Sequence, residues 1–270
     1  MLPASLRCLV RLIPVAVVMS FATAALSAQT TVRLFRGGEA DSAAANAVTL
    51  NATAVDSAGL NDASKIGTGG TYTSATAAPG SSLAYDFAST ASYQESVITS
   101  LNASQSFAME LWFKVPSLTG GSQVLFYNGD TASSGLGLYL NNGSLAVLRG
   151  GISVDNFATV TDSAWHYAAF VYDADAQSLD AYFDNQKTVI GSSATSFNFL
   201  SGYLSLGNST HSDNFTGAID EARLFTFADG TFNTSMLSNP ALAAVPEPST
   251  YAAVLGLCVL GFVAWRRRRA

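Results

Sequence analysis

Between residues 107 and 115 the chain alternates: Phe107, Met109, Leu111, Phe113 and Val115 are large and apolar, with Ala108, Glu110, Trp112 and Lys114 between them. A repeat of two puts the first five on one side of an extended strand, so this stretch has to lie against a core as β-structure. Strand-length segments with turns between them recur through most of the chain. Residues 136–140 and 145–148 flank Asn141-Asn142-Gly143-Ser144. An Asn-Gly pair between two such runs is a strong hairpin cue, because both turn residues need positive φ. Residues 165–172 are apolar on both faces, as a central strand of a two-layer structure must be. The turn Asp173-Ala174-Asp175 follows, and residues 178–183 return.

The last strands of the domain are expected at 203–206 and 222–227, the second preceded by Gly217-Ala218-Ile219-Asp220-Glu221. Upstream, residues 29–80 are rich in Ala, Ser, Thr, Asn and Gly, with one strand at 32–35 and a weaker one at 48–55. No segment sustains a helical period beyond a turn near 234–237. About a dozen short strands with Gly, Asn and Ser turns predict an all-β sandwich of jelly-roll type.

The two ends obey other rules. Arg7 and Arg11 precede an apolar stretch at 12–25 and the small residues Ala25-Leu26-Ser27-Ala28, the pattern of a secretory signal cleaved after Ser27 or Ala28. Residues 1–28 are therefore set apart from the fold. At the other end Pro246-Glu247-Pro248 holds the backbone extended and accessible. The apolar run 251–265 follows, roughly 22 Å long as a helix against a hydrocarbon core of about 30 Å. Arg266, Arg267, Arg268 and Arg269 close it, long side chains that snorkel to headgroups and stay cytoplasmic.

Pro-Glu-Pro, a short apolar helix and terminal arginines, in that order, closely resemble the PEP-CTERM sorting signal of Gram-negative bacteria. The resemblance implies a tail processed by a membrane-embedded exosortase after export by the secretion machinery, in bacteria that produce an exopolysaccharide matrix. An ordinary single-pass anchor is the alternative, and either reading puts the domain outside the membrane. The chain thus divides into a signal peptide (1–28), one β-sandwich domain (29–243) and a sorting tail (244–270).

Without its two ends the chain keeps seven Lys and Arg against 18 Asp and Glu, a formal charge of about −11. Such a surface argues against nucleic acid and anionic lipid as partners, since both need clustered cations, and is compatible with neutral glycans and divalent cations. Cys8 lies in the signal and Cys258 in the tail, so the exported domain has no cysteine. Disulfides, thiolate metal sites and cysteine nucleophiles are excluded, and about 215 residues rely on apolar burial and backbone pairing.

Four segments resemble, in order, the signature strands of laminin-G-like domains: residues 107–114 (FAMELWFK), 165–173 (WHYAAFVYD), 179–184 (LDAYFD) and 215–225 (FTGAIDEARLF). Val55-Asp56-Ser57-Ala58-Gly59 and Leu83-Ala84-Tyr85-Asp86-Phe87 are similar to that family's opening segments. The resemblance implies a concanavalin A-like fold of two curved antiparallel sheets, the first strand pairing beside the last. It also implies a calcium ion at a sheet edge. Asp56, with Asn61 and Asp62 near it in sequence, and Asp220 are the expected metal ligands, because that pairing brings the ends of the domain together.

A glycosidase on this fold needs two carboxyl groups facing one cleft. No strand carries them on alternate positions. Glu110 stands alone, and Asp220 and Glu221, adjacent on a strand, point to opposite faces. Turn and edge positions required by the fold are the expectation for all three. His166 reads as a hydrogen-bonded sheet histidine and His211 as part of a polar loop, so neither a metal triad nor a Ser-His-Asp set emerges. Tyr72, Tyr93, Tyr127, Tyr139 and Tyr203 are the aromatics available for glycan contact, although most are expected to pack. The expectation is a non-catalytic, exported domain that binds extracellular polysaccharide. A structural adhesion protein and a polysaccharide hydrolase or lyase are the alternatives.

Overall fold

The computed structural model describes residues 29–59, 61–88, 90–99, 101–117, 121–191, 202–208, 213–243, 260–261 and 264–267. The expected signal peptide (residues 1–28), His211, Pro246, Glu247, Pro248, Arg268 and Arg269 lie outside the described residues. Residues 260–261 and 264–267 are helical. No helix among the described residues is long and apolar enough to cross a membrane.

The domain is two antiparallel sheets packed face to face. One runs in the order β14 (Gln186–Gly191), β13 (Ser178–Phe183), β12 (Trp165–Asp173), β7 (Phe107–Lys114), β16 (Gly217–Phe227), β5 (Ala84–Phe87) and β4 (Thr71–Thr73). β1 (Gln29–Phe35) joins this first sheet on β16, with Leu34 opposite Arg223 and Phe35 opposite Ala222, so the first and last strands meet as the family resemblance implies. The second sheet runs β11 (Ser153–Thr159), β10 (Ser144–Arg149), β9 (Ser134–Asn141), β8 (Ser122–Asp130), β15 (Gly202–Leu206), β6 (Ser92–Thr99), β3 (Ala63–Ile66) and β2 (Thr53–Ala54).

The alternation that starts at Phe107 is realised as predicted. Phe107, Met109, Leu111 and Phe113 face the second sheet, in one buried cluster with Leu136, Leu138, Leu140, Leu145 and Val147. The hairpin of β9 and β10 turns on Asn142 (φ 52°) and Gly143 (φ 81°), both in the left-handed region that the Asn-Gly pair permits. The expected strand at 48–55 is reduced to Thr53–Ala54 and an isolated bridge between Thr49 and Thr71.

The first sheet is buried on its outer face too. After β16 the chain turns back through a 3-10 turn (Thr234–Met236) and the short helix α1 (Pro240–Ala243). Met236, Leu237 and Leu242 of this strap pack on Ala108, Tyr167, Ala169, Val171 and Phe225. That is why β12 reads apolar on both sides, and it corrects the expectation for Glu110, which occupies neither a turn nor an edge. Glu110 sits fully buried on β7, between β12 and β16, and accepts from Arg223 Nε (2.5 Å), the Tyr167 hydroxyl and the Ser238 backbone N–H (2.9 Å). Arg223 also donates to the Met236 carbonyl and lies 4.3 Å over the Phe225 ring.

Breaking a buried pair by removing one partner costs about 3–5 kcal/mol, against about 1 or less for an exposed pair. Glu110→Ala is therefore expected to lower unfolding stability in urea by several kcal/mol. Lys187→Ala, which removes the half-exposed partner of Asp180, is expected to be nearly neutral. Equal effects from the two substitutions would refute the anchoring role given to Glu110.

Candidate functional site

β16 changes partner partway along. It pairs with β5 over residues 217–219 and with β1 from Ala222 onward, and its register on β7 shifts between Asp220 and Arg223. Glu221 takes φ 47° at this fork. Such a bulge defeats the strict alternation of a strand, so Asp220 and Glu221 do not point to opposite faces as expected. Gly37, in the loop leaving β1, fits only because it has no side chain. At φ 65°, a Cβ there would lie 2.4 Å from the Leu83 carbonyl oxygen and 2.6 Å from Asp220 Oδ1.

The fork gathers three carboxylates. One oxygen each from Glu39, Asp220 and Glu221 lie within 4.8 Å of one another. Glu39 spends Oε1 on the Ser81 hydroxyl and the backbone N–H groups of Ser82 and Leu83, while its buried Oε2 has no hydrogen-bond partner. Asp220 is fully buried; Oδ1 accepts from the Glu221 backbone N–H (2.8 Å) and Oδ2 has no partner. Burial pushes the Asp220 carboxyl up to about 7, and the charges of Glu39 and Glu221 add to the rise. Glu221 pairs with Arg36 at 2.9 Å, yet burial still raises it.

Asp56, the other expected ligand, lies outside this group. It is buried and accepts from the backbone N–H groups of Leu34 (2.9 Å), Ala58 (2.9 Å) and Asn61 (3.2 Å), with Arg33 Nε 3.8 Å away. Glu39 was missed in the sequence. The signal was available, because β1 ends opposite Ala222 and the acidic residue just past Gly37-Gly38 must then come near Asp220.

The outer face of the first sheet, beyond the strap, carries a second polar region. Across five strands the register aligns Trp165, Lys114, Ala218, Asp86 and Thr71. Trp112 lies on the same face, two register pairs along from Lys114 and packed at 5.4 Å against Tyr167. Both tryptophans are half-buried, Trp112 against the cluster under the strap, and the Nε1–H of each is buried without a hydrogen-bond partner. Among the proposed glycan aromatics, Tyr72, Tyr93, Tyr127 and Tyr139 are buried, and Tyr203 is 41 % exposed. His166 is a hydrogen-bonded sheet histidine as expected, with Nδ1 3.0 Å from Asp184, Nε2 3.2 Å from Asp162 and its ring stacked on Phe183.

Domain 4 of AbnA, an extracellular arabinanase of Geobacillus stearothermophilus solved in complex with arabinotriose, is similar in fold. It has 15 % identity and a TM-score of 0.53 over 79 % of this chain and 98 % of that one. The binding domain of botulinum neurotoxin DC, solved with rat synaptotagmin II, is similar at 10 % identity and TM-score 0.52 over 80 % of this chain; the match spans about half (52 %) of that chain. No curated protein matches in sequence. Residues 244–269 match the PEP-CTERM protein-sorting motif, which marks an exported protein processed by an exosortase and sorted to the cell envelope or surface. Residues 87–228, more than half of the length, match the family model described as the concanavalin A-like lectin/glucanases superfamily, and the chain belongs to that superfamily.

Proposed function

We propose that this protein is a non-catalytic carbohydrate-binding domain, delivered by its processed tail to the extracellular polysaccharide of the cell that makes it. The observation that carries this reading is the part of the first sheet's outer face that the strap leaves uncovered, where the half-buried Trp165 stands opposite Lys114 with Asp86 two strands further on. A sugar ring offers an apolar C–H face and a rim of hydroxyls, and aromatic platforms beside paired donors and acceptors match both. The acidic surface favours neutral polymers. The non-catalytic assignment is supported by the commitments of the obvious carboxylates: Glu110 is buried in its anchor, and Glu221 is paired with Arg36. A structural role in surface adhesion, without a ligand, is the competing reading.

Calcium at the fork belongs to the same proposal, with Glu39, Asp220 and Glu221 as its ligands in place of Asp56. Three carboxylates with one paired arginine leave a formal charge of −2 when all are ionised, and two buried oxygens lack partners. A hard divalent cation that takes oxygen ligands fits that donor set. It would tie the loop after β1 and the turn at residues 81–83 to β16.

Two outcomes are expected. On affinity electrophoresis the exported protein is retarded by polysaccharide of its own producer, and Trp165→Ala weakens the retardation; no retardation by any polymer, with or without calcium, favours the structural reading. For the cation, the Asp220 carboxyl is raised in the folded state. Its contribution to stability is therefore full below the unfolded value near 3.9 and is lost as pH rises through about 7. Without calcium the melting temperature should fall over that window, and Asp220→Asn should flatten the fall. Calcium at 100 times its dissociation constant stabilises by about 2.7 kcal/mol, a rise of roughly 5 °C or more for a domain this size. The rise should grow with pH, vanish in Asp220→Asn and persist in Asp56→Asn. No calcium-induced rise at pH 8 would rule out the site.

A further inference from the structure

The outer face of the first sheet is not evenly covered. Ala218 on β16 stands directly opposite Asp86 on β5 and, on its other side, Lys114 on β7. Two strand spacings separate the charged residues, about 9–10 Å between their backbones. Between them the floor is one methyl group, flanked by Gly217. That glycine takes φ 140°, and a Cβ there would fall 2.2 Å from the Lys114 carbonyl oxygen. The result is a groove of about 220 Å³ walled by Asp86, Lys114, Thr73 and Pro116. No ion pair joins Asp86 and Lys114 among the described residues, so the two charges face the groove instead of closing it. Burial raises the Asp86 carboxyl, and the charge of Lys114 opposes that rise.

We propose that this groove is a subsite for one neutral, polyhydroxylated sugar residue, with Asp86 accepting from ring hydroxyls, Lys114 donating to ring or hydroxyl oxygens, and the methyl of Ala218 under the ring. The inference rests on the carbohydrate-binding reading and gives it an address and a ligand class. The groove has room for a single ring and not for a branched cluster. A uronic acid or a sulfated sugar would gain from Lys114 but meet Asp86 at the opposite wall, within a domain of charge about −11. A neutral ring needs both an acceptor and a donor, and the register supplies one on each side of a small floor. The row continues past Lys114 to Trp165, so a second ring of the same chain would extend toward an aromatic platform.

The test uses the full exported protein in affinity electrophoresis through gels of neutral glucan, arabinan and galactomannan, and in parallel through gels of a polyuronate. The wild type is expected to be retarded by at least one neutral polymer and not by the polyuronate. Ala218→Leu, which fills the floor from the solvent side, should weaken that retardation at least tenfold. Asp86→Asn, isosteric and safe for folding, should weaken it several-fold, and Lys114→Ala likewise. Tyr203→Ala, on the other sheet, should leave it unchanged. Retardation that survives Ala218→Leu and Asp86→Asn but is lost in Tyr203→Ala would overturn the groove while sparing the carbohydrate-binding reading. Preference for the polyuronate would overturn the neutral-sugar assignment. A wild type retarded by no polymer would bring down both.

Discussion

The pairing of β16 with three other strands holds this domain together. On one side it runs beside β7; on the other it pairs with β5 and then, past a bulge, with β1. The start and the end of the domain therefore close on the same strand, in a chain that has no cysteine there to staple them. Its outer-facing Arg223 is the cation that lets Glu110 be buried. That pair in turn pins the strap whose Met236, Leu237 and Leu242 roof the outer face of the sheet. A buried pair contributes little net stability compared with an apolar substitute. Here it fixes where the strap sits, and so which part of the outer face stays open.

The partner change has a chemical consequence. Where β5 stops and β1 has not yet begun, the backbone of β16 has no continuous neighbour, and the gap fills with the loop after β1 and the turn at residues 81–83. Glu39 ties that turn down with one carboxylate oxygen and leaves the other unpaired beside Asp220. Burial raises the Asp220 carboxyl to about 7, and the like charges of Glu39 and Glu221 add to that rise. The same gap thus brings three carboxylates within 4.8 Å of one another.

The open part of the outer face has a different origin. Small residues at 217 and 218 let the chain cross tightly under Lys114 and leave a depression between two charged walls. The groove floor at residues 217 and 218 and the carboxylate fork at 220 and 221 lie on one strand, separated by Ile219. Order at the fork therefore bears directly on the shape of the groove, and a cation there would stiffen the strand that forms the groove's floor.

The sequence by itself determined the fold class and the destination. Period-two alternation at 107–115, the Asn-Gly turn and the doubly apolar strand at 165–172 each survive in the structure, because burial of one face against another layer is a local demand written residue by residue. The Pro-Glu-Pro tail is likewise linear and is matched as such. Tertiary structure decided the rest. Glu110 looked like an isolated carboxylate, because its partner is 113 residues away and its cover comes from the strap. Asp220 and Glu221 looked divergent, because alternation assumes an unbroken strand and the bulge at φ 47° breaks it. Asp56 and Asp220 looked like one ligand set, because nothing local reveals that three backbone N–H groups hold Asp56 outside the carboxylate fork. Four of five candidate tyrosines turned out to be buried, since which face of a sheet meets the core depends on register across strands far apart in the chain. A strand's own sequence says which residues share a side; only the assembled sheets say what lies against that side.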